Sequence, residues 1–277
     1  MHECKNAQGR LGAFLSIRAF LSIRAFVHSC IPAFRVLADS VLAVILSPSC
    51  AACGEQLEHA SLGPVCDACW RSIRALTPPL CDQCGDPLPA WRGVSIPLAR
   101  CPRCRRGRHH VDRGRAIGAY EGALRDVVRA LKYDGRRSLA RPLASLMRIR
   151  GADMLAGADC AVPVPLHSSR RRQRGFNQAG DLARHLGLPS RAVLRRRRNT
   201  ATQTGLPAAR RHRNVRGAFA LARSWRAHDW LRGAVVVLVD DVSTTGATLD
   251  ACARVLKDAG VREVRALTAA RVVTRRH

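Results

Sequence analysis

From Val235 to Val239 the chain is apolar at every position, and it then meets Asp240 and Asp241. A continuous run of β-branched residues and leucine, with no polar alternation, predicts a strand buried on both faces of a parallel sheet. The next segment, GATLDACARVLKDAG, sets Leu249, Ala253, Leu256 and Ala259 at helical spacing, and Gly260 is placed to end that helix. A second extended segment, CAVPVPLHSS, is held straight by Pro163 and Pro165. Beyond it, Asn177 is positioned to cap a helix running through Leu182, Ala183 and Leu186. Residues 195–219 show no apolar periodicity and read as a mobile loop. These patterns predict an α/β fold built on a parallel sheet.

The acids and the hydroxyl-rich stretch after them fall between a strand and a helix, where open α/β sheets bind ligands. Amide groups at a helix start lack partners and carry partial positive charge, so the loop STTGAT is suited to wrap a phosphate. Gly246 allows close approach, Ser243, Thr244, Thr245 and Thr248 offer hydroxyls, and Ala247 lies within the same phosphate-binding stretch. Asp240 and Asp241 would face the sugar of the same ligand, accepting hydrogen bonds from a vicinal diol or holding a divalent ion through water. A phosphate beside two acids is otherwise repulsive, so the expected ligand has an anionic end and a hydroxylated end, as a ribose 5-phosphate does. An acidic pair after a strand also occurs as a plain magnesium-binding or response-regulator-like cluster; the hydroxyl loop argues against that reading. Arg170, Arg171, Arg172 and Arg174, with Asn177 and Gln178, lie between a strand end and a helix start, the setting of a second anion site. The plain alternative for them is a solvated basic surface.

Eight of the 12 cysteines form four Cys-x-x-Cys pairs: Cys50 and Cys53, Cys66 and Cys69, Cys81 and Cys84, Cys101 and Cys104. Two such turns complete a tetrahedral Cys4 site with Zn–S bonds of about 2.3 Å. Gly54 and Gly85 each follow the second cysteine of a pair, where a turn with positive φ suits glycine. The spacing predicts two tandem ribbons with one structural zinc each, rather than iron–sulfur clusters or redox thiols. First-with-second and third-with-fourth pairing is the simplest arrangement; an interleaved one fits the spacing too. His109 and His110 read as a basic surface tail, or as replacement ligands.

Composition adds a partner class. The chain has 47 Lys plus Arg against 20 Asp plus Glu, a formal charge of +27, which should attract polyanions, nucleic acid first. An arginine-rich proteome is the bland explanation of the same number. Paired cysteines without a signal peptide suggest a reducing compartment, hence a cytoplasmic protein. No segment reaches the roughly 18 apolar residues that span a bilayer; the best candidate, VLADSVLAVIL at 36–46, carries Asp39. The motif AFLSIR at 13–18 recurs unchanged at 19–24, which matches no solenoid period and resembles a low-complexity extension or an upstream start codon. The expected division is 1–45 extension, poorly ordered, 46–110 double zinc ribbon, and 111–277 ligand-binding domain.

VVVLVDDVSTTGAT resembles the 5-phosphoribosyl-1-pyrophosphate (PRPP) motif of type I phosphoribosyltransferases. That resemblance gives Asp240 and Asp241 the ribose hydroxyls and residues 244–248 the 5-phosphate. Together with the cysteine pairs, YEGALRDVVRALKYDGRRSLARPLA (120–144), VPVPLH (162–167), RGFNQ (174–178) and TQTGL with the Arg and Asn that follow it (202–214), the chain over about residues 45–275 is similar to the ComF family, phosphoribosyltransferase-like proteins linked to competence for DNA uptake. The resemblance implies a type I phosphoribosyltransferase-like parallel sheet flanked by helices, preceded by the ribbons. It implies magnesium with the ligand, pyrophosphate contacts from Arg174 and its neighbours, and a hood over the site from 195–214. Pentosyl transfer, if it runs, would draw on Asp240, Asp241, Arg174 and Lys132, mainly by positioning and by neutralising the leaving pyrophosphate. A different class of function is a non-catalytic adaptor that grips single-stranded DNA within the uptake machinery, its pocket holding only a ligand or nucleotide phosphate.

Overall fold

The computed structural model describes residues 48–59, 63–88, 100–107, 109–197, 217–222 and 229–273. The N-terminal extension with its AFLSIR repeat, the 36–46 run and most of the 195–214 segment lie outside the described residues. The chain divides into two compact units, Met1–Cys50 with Gly54–Pro64, and Ala51–Cys53 with Val65–His277.

In the first unit the chain turns back on itself around Gly54. Leu57 N donates to Pro48 O (2.9 Å), Cys50 N to Glu55 O (2.8 Å) and Gly54 N to Cys50 O (3.0 Å), with Gly54 at φ 79°. The second unit repeats that turn around Gly85. Leu88 N donates to Pro79 O, Cys81 N to Asp86 O and Gly85 N to Cys81 O, all at 2.8 Å. Short helices α1 (Asp67–Ser72) and α2 (Pro102–Arg106) follow Cys66 and Cys101, which stand at their N-caps.

The rest of the second unit runs β1 (Arg113–Ala116), α3 (Gly122–Tyr133), a 3-10 turn (Arg137–Leu139), α4 (Ala140–Arg150), α5 (Ala152–Leu155), β2 (Cys160–Pro163), α6 (Ser168–Arg174) and α7 (Gln178–Ala183). It continues through β3 (Leu194–Arg196), β4 (Phe219–Leu221), β5 (Val235–Ser243), α8 (Ala247–Asp258) and β6 (Glu263–Arg271). Four strands make one parallel sheet in the order β1-β6-β5-β2, and β3 pairs with β4 in an antiparallel ribbon. Pro163, which has no amide to donate, ends the edge strand β2.

The two longest helices form because their apolar residues recur on one stripe. Leu124, Val127, Val128 and Leu131 of α3 and Leu249, Cys252, Ala253 and Leu256 of α8 all follow the i, i+3, i+4, i+7 pattern, and all are buried. Strand β5 is buried at Val235–Val239, as a strand covered on both faces must be. One face carries α8 with Val193, Leu194 and Phe219 from the β3–β4 region, packed on Val236, Leu238, Val264 and Ala266. Helices α3, α4 and α7 cover the sheet from α3 and α4 against β6 to α7 against β5 and β2.

Three expectations need correction. Strand β5 does not stop before the acids but runs through them to Ser243, because the β6 ladder pairs Asp240 with Thr268 and Ser243 with Arg271; main-chain pairing is indifferent to side-chain charge. The ends of the 195–219 run are not loop: β3 and β4 bracket it. The Asn177 helix stops at Ala183, leaving Leu186 in the turn beyond. Among the described residues no helix is long and apolar enough to cross a membrane.

Candidate functional site

The carboxyl end of β5 gathers the chemistry. Successive strand residues project to opposite faces, so the two acids separate. Asp241 is buried and turns toward α3, where its Oδ1 lies 2.8 Å from Lys132 Nζ. Burial by itself lowers the Lys132 ammonium, but Asp241 and then Asp240 outweigh it and hold the group above its ordinary value. Asp240 turns toward the α8 face, and its Oδ1 accepts the Asp241 amide at 2.9 Å. Burial first, and the neighbouring Asp241 second, push the Asp240 carboxyl up to about 7, against the pull of Lys132 and Arg196. The acids therefore do not present a symmetrical pair: one is neutralised by a lysine, and the other is poised between proton and charge.

Beyond Asp241 the chain leaves the sheet at Ser243, which is buried with an Oγ that finds no hydrogen-bond partner among the described residues. Thr244, Thr245 and Gly246 form the turn. Thr245 Oγ1 accepts the Ala247 amide at 3.3 Å. Gly246 is the N-cap of α8 at φ 79°, a left-handed conformation with open space where a Cβ would stand. A twelve-residue helix whose N-cap glycine offers no side chain turns its positive dipole end toward a bound anion. Thr248 sits in that first turn.

Arg170, Arg171, Arg172 and Arg174 are not a loop but the body of α6, capped by His167, whose Nδ1 accepts Ser169 N at 3.3 Å, and ended by Gly175 in the left-handed conformation. Arg171 and Arg172 are exposed, whereas Arg170 and Arg174 are half-buried. The Arg174 guanidinium lies 5.1 Å above the ring of Tyr133, which is itself 68% exposed. Gln178 is 1% exposed, its side chain packed inward from α7 with an Nε2 that has no partner among the described residues. Asn177 stands at the N-cap without capping: its Nδ2 donates to Val164 O (3.2 Å), and its buried Oδ1 has no partner among the described residues.

Arg196 is the residue that sequence reasoning missed. It is set on β3 over the Phe219 ring at 5.3 Å, and burial first, then Arg170, lowers its guanidinium, with Asp240 acting the other way. It thus joins Asp240, Lys132 and Arg170 in one charged cluster. Nothing local distinguishes it within the run RRRR; only the β3–β4 pairing does.

The cysteines group as two tetrads in sequential order, Cys50, Cys53, Cys66 and Cys69, and Cys81, Cys84, Cys101 and Cys104, with the ligand atoms of each within 4.8 Å of one another. Four thiolates with no open position suit one structural zinc per tetrad. His109 and His110 are neither ligands nor a surface tail. The His110 amide donates to Asp250 Oδ1 (2.6 Å), its Nδ1 lies 3.2 Å from Oδ2, and His109 Nδ1 lies 3.9 Å from the same carboxylate.

Comparison with known proteins agrees with these two parts. Residues 41–105 match the double zinc ribbon domain family, and residues 172–276 match the phosphoribosyl transferase domain family. Competence protein F of Haemophilus influenzae is 32% identical over 216 residues, 74% of this chain and 90% of that protein. DNA utilization protein YhgH of Escherichia coli K12 is 34% identical over 211 residues, 72% and 87% of the two chains. Competence protein ComFC of Bacillus subtilis is 25% identical over 203 residues, 71% and 79%.

Proposed function

Because the chain belongs to the ComF family, we propose that it binds a phosphoribosyl ligand, PRPP or a relative of it, at the carboxyl end of β5 and acts in DNA uptake. The observation that carries this reading is the succession Asp240, Asp241, then Gly246 as the open N-cap of α8. The turn 244–248 takes the 5-phosphate, with helix amides and threonine hydroxyls as donors. Asp240 takes the ribose diol, and Asp241, fixed by Lys132, sets the orientation of its neighbour. Carboxylate oxygens in this pair suit a hard cation, and Lys132 already neutralises one of them, so Asp240 is the group that would hold magnesium through water or ligand oxygens. Magnesium, when bound, supplies charge neutralisation at the pyrophosphate. Arg170, Arg174 and Arg196 supply the fixed positive charge of the chain itself, and Arg196 stands on the strand that opens the hood segment. If pyrophosphate leaves, the ribose becomes oxocarbenium-like, and this arrangement acts by positioning and electrostatics rather than by a nucleophile.

Calorimetric titration of PRPP with magnesium tests the reading. Asp240→Asn with Asp241→Asn should abolish the heat; binding that persists in the double variant would falsify the ribose assignment. One observation also favours the adaptor reading, in which single-stranded DNA binds the same protein. Helix α6, which carries the exposed Arg171 and Arg172, sets its half-buried Arg174 against the exposed ring of Tyr133, and that pairing of charge with a stacking surface is the chemistry single strands need.

A further inference from the structure

The second cysteine tetrad and the phosphate turn are joined by one side chain. Arg271, the last residue of β6, is 3% exposed. Its main chain belongs to the phosphate end of the sheet: it pairs with Ser243 in the β5–β6 register, and the next amide, Val272 N, donates to Ser243 O at 2.9 Å. Its side chain belongs to the ribbon. Nε donates to Asp86 Oδ1 (2.8 Å), Nη1 to Cys84 O (2.9 Å), and Nη2 lies 3.5 Å from Cys84 Sγ. Four thiolates around a divalent ion leave a net negative complex, which a buried guanidinium stabilises as an outer-shell donor.

Three further contacts hold the second ribbon and the chain after it against β1 and α8. Gly85 packs against β1 so closely that a Cβ would stand 2.6 Å from Gly114 O, and Arg115 Nη1 donates to Cys81 O and Asp82 O, each at 3.2 Å. On the α8 side, Asp250 in the first turn accepts the His110 amide just downstream of the tetrad. Between these contacts lies a cavity of about 40 Å³ lined by Cys84, Arg103, Thr245, Gly246 and Arg271. The buried Gln83 Oε1, His109 Nε2 and Ser243 Oγ also line it, and none has a partner among the described residues.

We infer that Arg271 is a positioning residue for the phosphate turn, the strut through which the metal-bound second ribbon fixes Ser243–Gly246 in its binding geometry. The inference rests on the phosphoribosyl reading above. It makes the second tetrad part of the ligand site's support, so the state of its thiolates is felt at the turn.

The test uses the full chain and ribose 5-phosphate as the probe. Arg271→Gln should keep two bound metals and the wild-type circular dichroism yet weaken ribose 5-phosphate at least tenfold by calorimetry, and Arg271→Lys should recover part of the loss. Asp86→Asn removes the strut's other anchor without altering the buried strand residue, and it should weaken the probe in the same direction even if Arg271→Gln fails to fold. With cobalt in place of zinc, the thiolate charge-transfer bands of the wild type should shift when ribose 5-phosphate is added, and the shift should vanish in Asp86→Asn. Ribose 5-phosphate that binds wild type and both variants equally, with silent cobalt bands, overturns this inference alone. A wild-type protein that gives no heat with the probe overturns the phosphoribosyl reading and the inference with it.

Discussion

At the scale of single residues, the carboxyl of Asp240 is the group most displaced from its ordinary behaviour in the ligand site. Its pKa in the folded chain, about 7, stands above the ordinary 3.8 because burial and Asp241 both oppose ionisation. Below the unfolded value both states hold the proton, and the group contributes nothing to pH dependence. Between the two values the folded state holds the proton more tightly, so stability falls as pH rises, and above about 7 the whole penalty is present. Asp240→Asn should therefore unfold at higher urea than wild type at about pH 8.5, by an amount on the order of a few kcal/mol, and the gain should shrink toward about pH 5.5. A gain that stays constant across that range, or reverses, would refute the assigned environment. The same ionisation should strengthen magnesium-dependent ligand binding as pH rises through neutrality. The acid doublet was legible in sequence because it follows its strand directly. Lys132 and Arg196 became neighbours only through the packing of α3 and the pairing of β3 with β4, and no local pattern carries that information.

At the scale of elements, the two ribbon turns look alike in sequence and differ in surroundings. Gly54 and Gly85 both take positive φ after a second cysteine, at 79° and 70°. A Cβ at Gly54 would meet nothing within 4 Å, whereas at Gly85 it would meet Gly114 O at 2.6 Å. Gly54→Ala should thus cost about 1 kcal/mol, the backbone strain alone. Gly85→Ala should cost roughly 1–3 kcal/mol more, since main chain on both sides must shift. Urea midpoints of the zinc-loaded chain measure the difference, and equal losses would show that the Gly85–Gly114 contact carries no energy. Spacing and glycine placement made the turns readable, but the docking of the second one on β1 depends on Gly114, which nothing in the cysteine pattern indicates. Element types were read well where burial is periodic, as in α8 and the apolar part of β5. The end of β5 was misplaced because polarity was taken as the end of the strand, while the ladder to β6 continues through it. Helix α6 was missed for a related reason: a run of arginines has no apolar stripe, and its start is fixed by His167 and its stop by Gly175.

At the scale of the molecule, a formal charge of +27 permits two kinds of attraction to DNA, one spread over the whole surface and one confined to a site. They differ in how affinity responds to salt after local neutralisation. Diffuse attraction makes any three exposed arginines equivalent, so removing a few of 47 basic residues changes the salt dependence little and equally wherever it is done. A strand lying on α6 releases one counterion fraction for each arginine that contacts phosphate, about 0.7 per contact for single strands. Replacing Arg170, Arg171 and Arg172 with glutamine should then make the slope of log affinity against log salt shallower by about 2. Replacing the exposed ribbon arginines Arg71, Arg105 and Arg106 should leave that slope nearly unchanged. Tyr133→Ala would separate stacking from charge, because loss of the ring lowers affinity while leaving the slope alone. Fluorescence anisotropy of a labelled oligonucleotide over a salt series reads all three. Equal slopes for the two arginine triples would assign the attraction to net charge and remove α6 as the strand-binding element, even with the phosphoribosyl site intact.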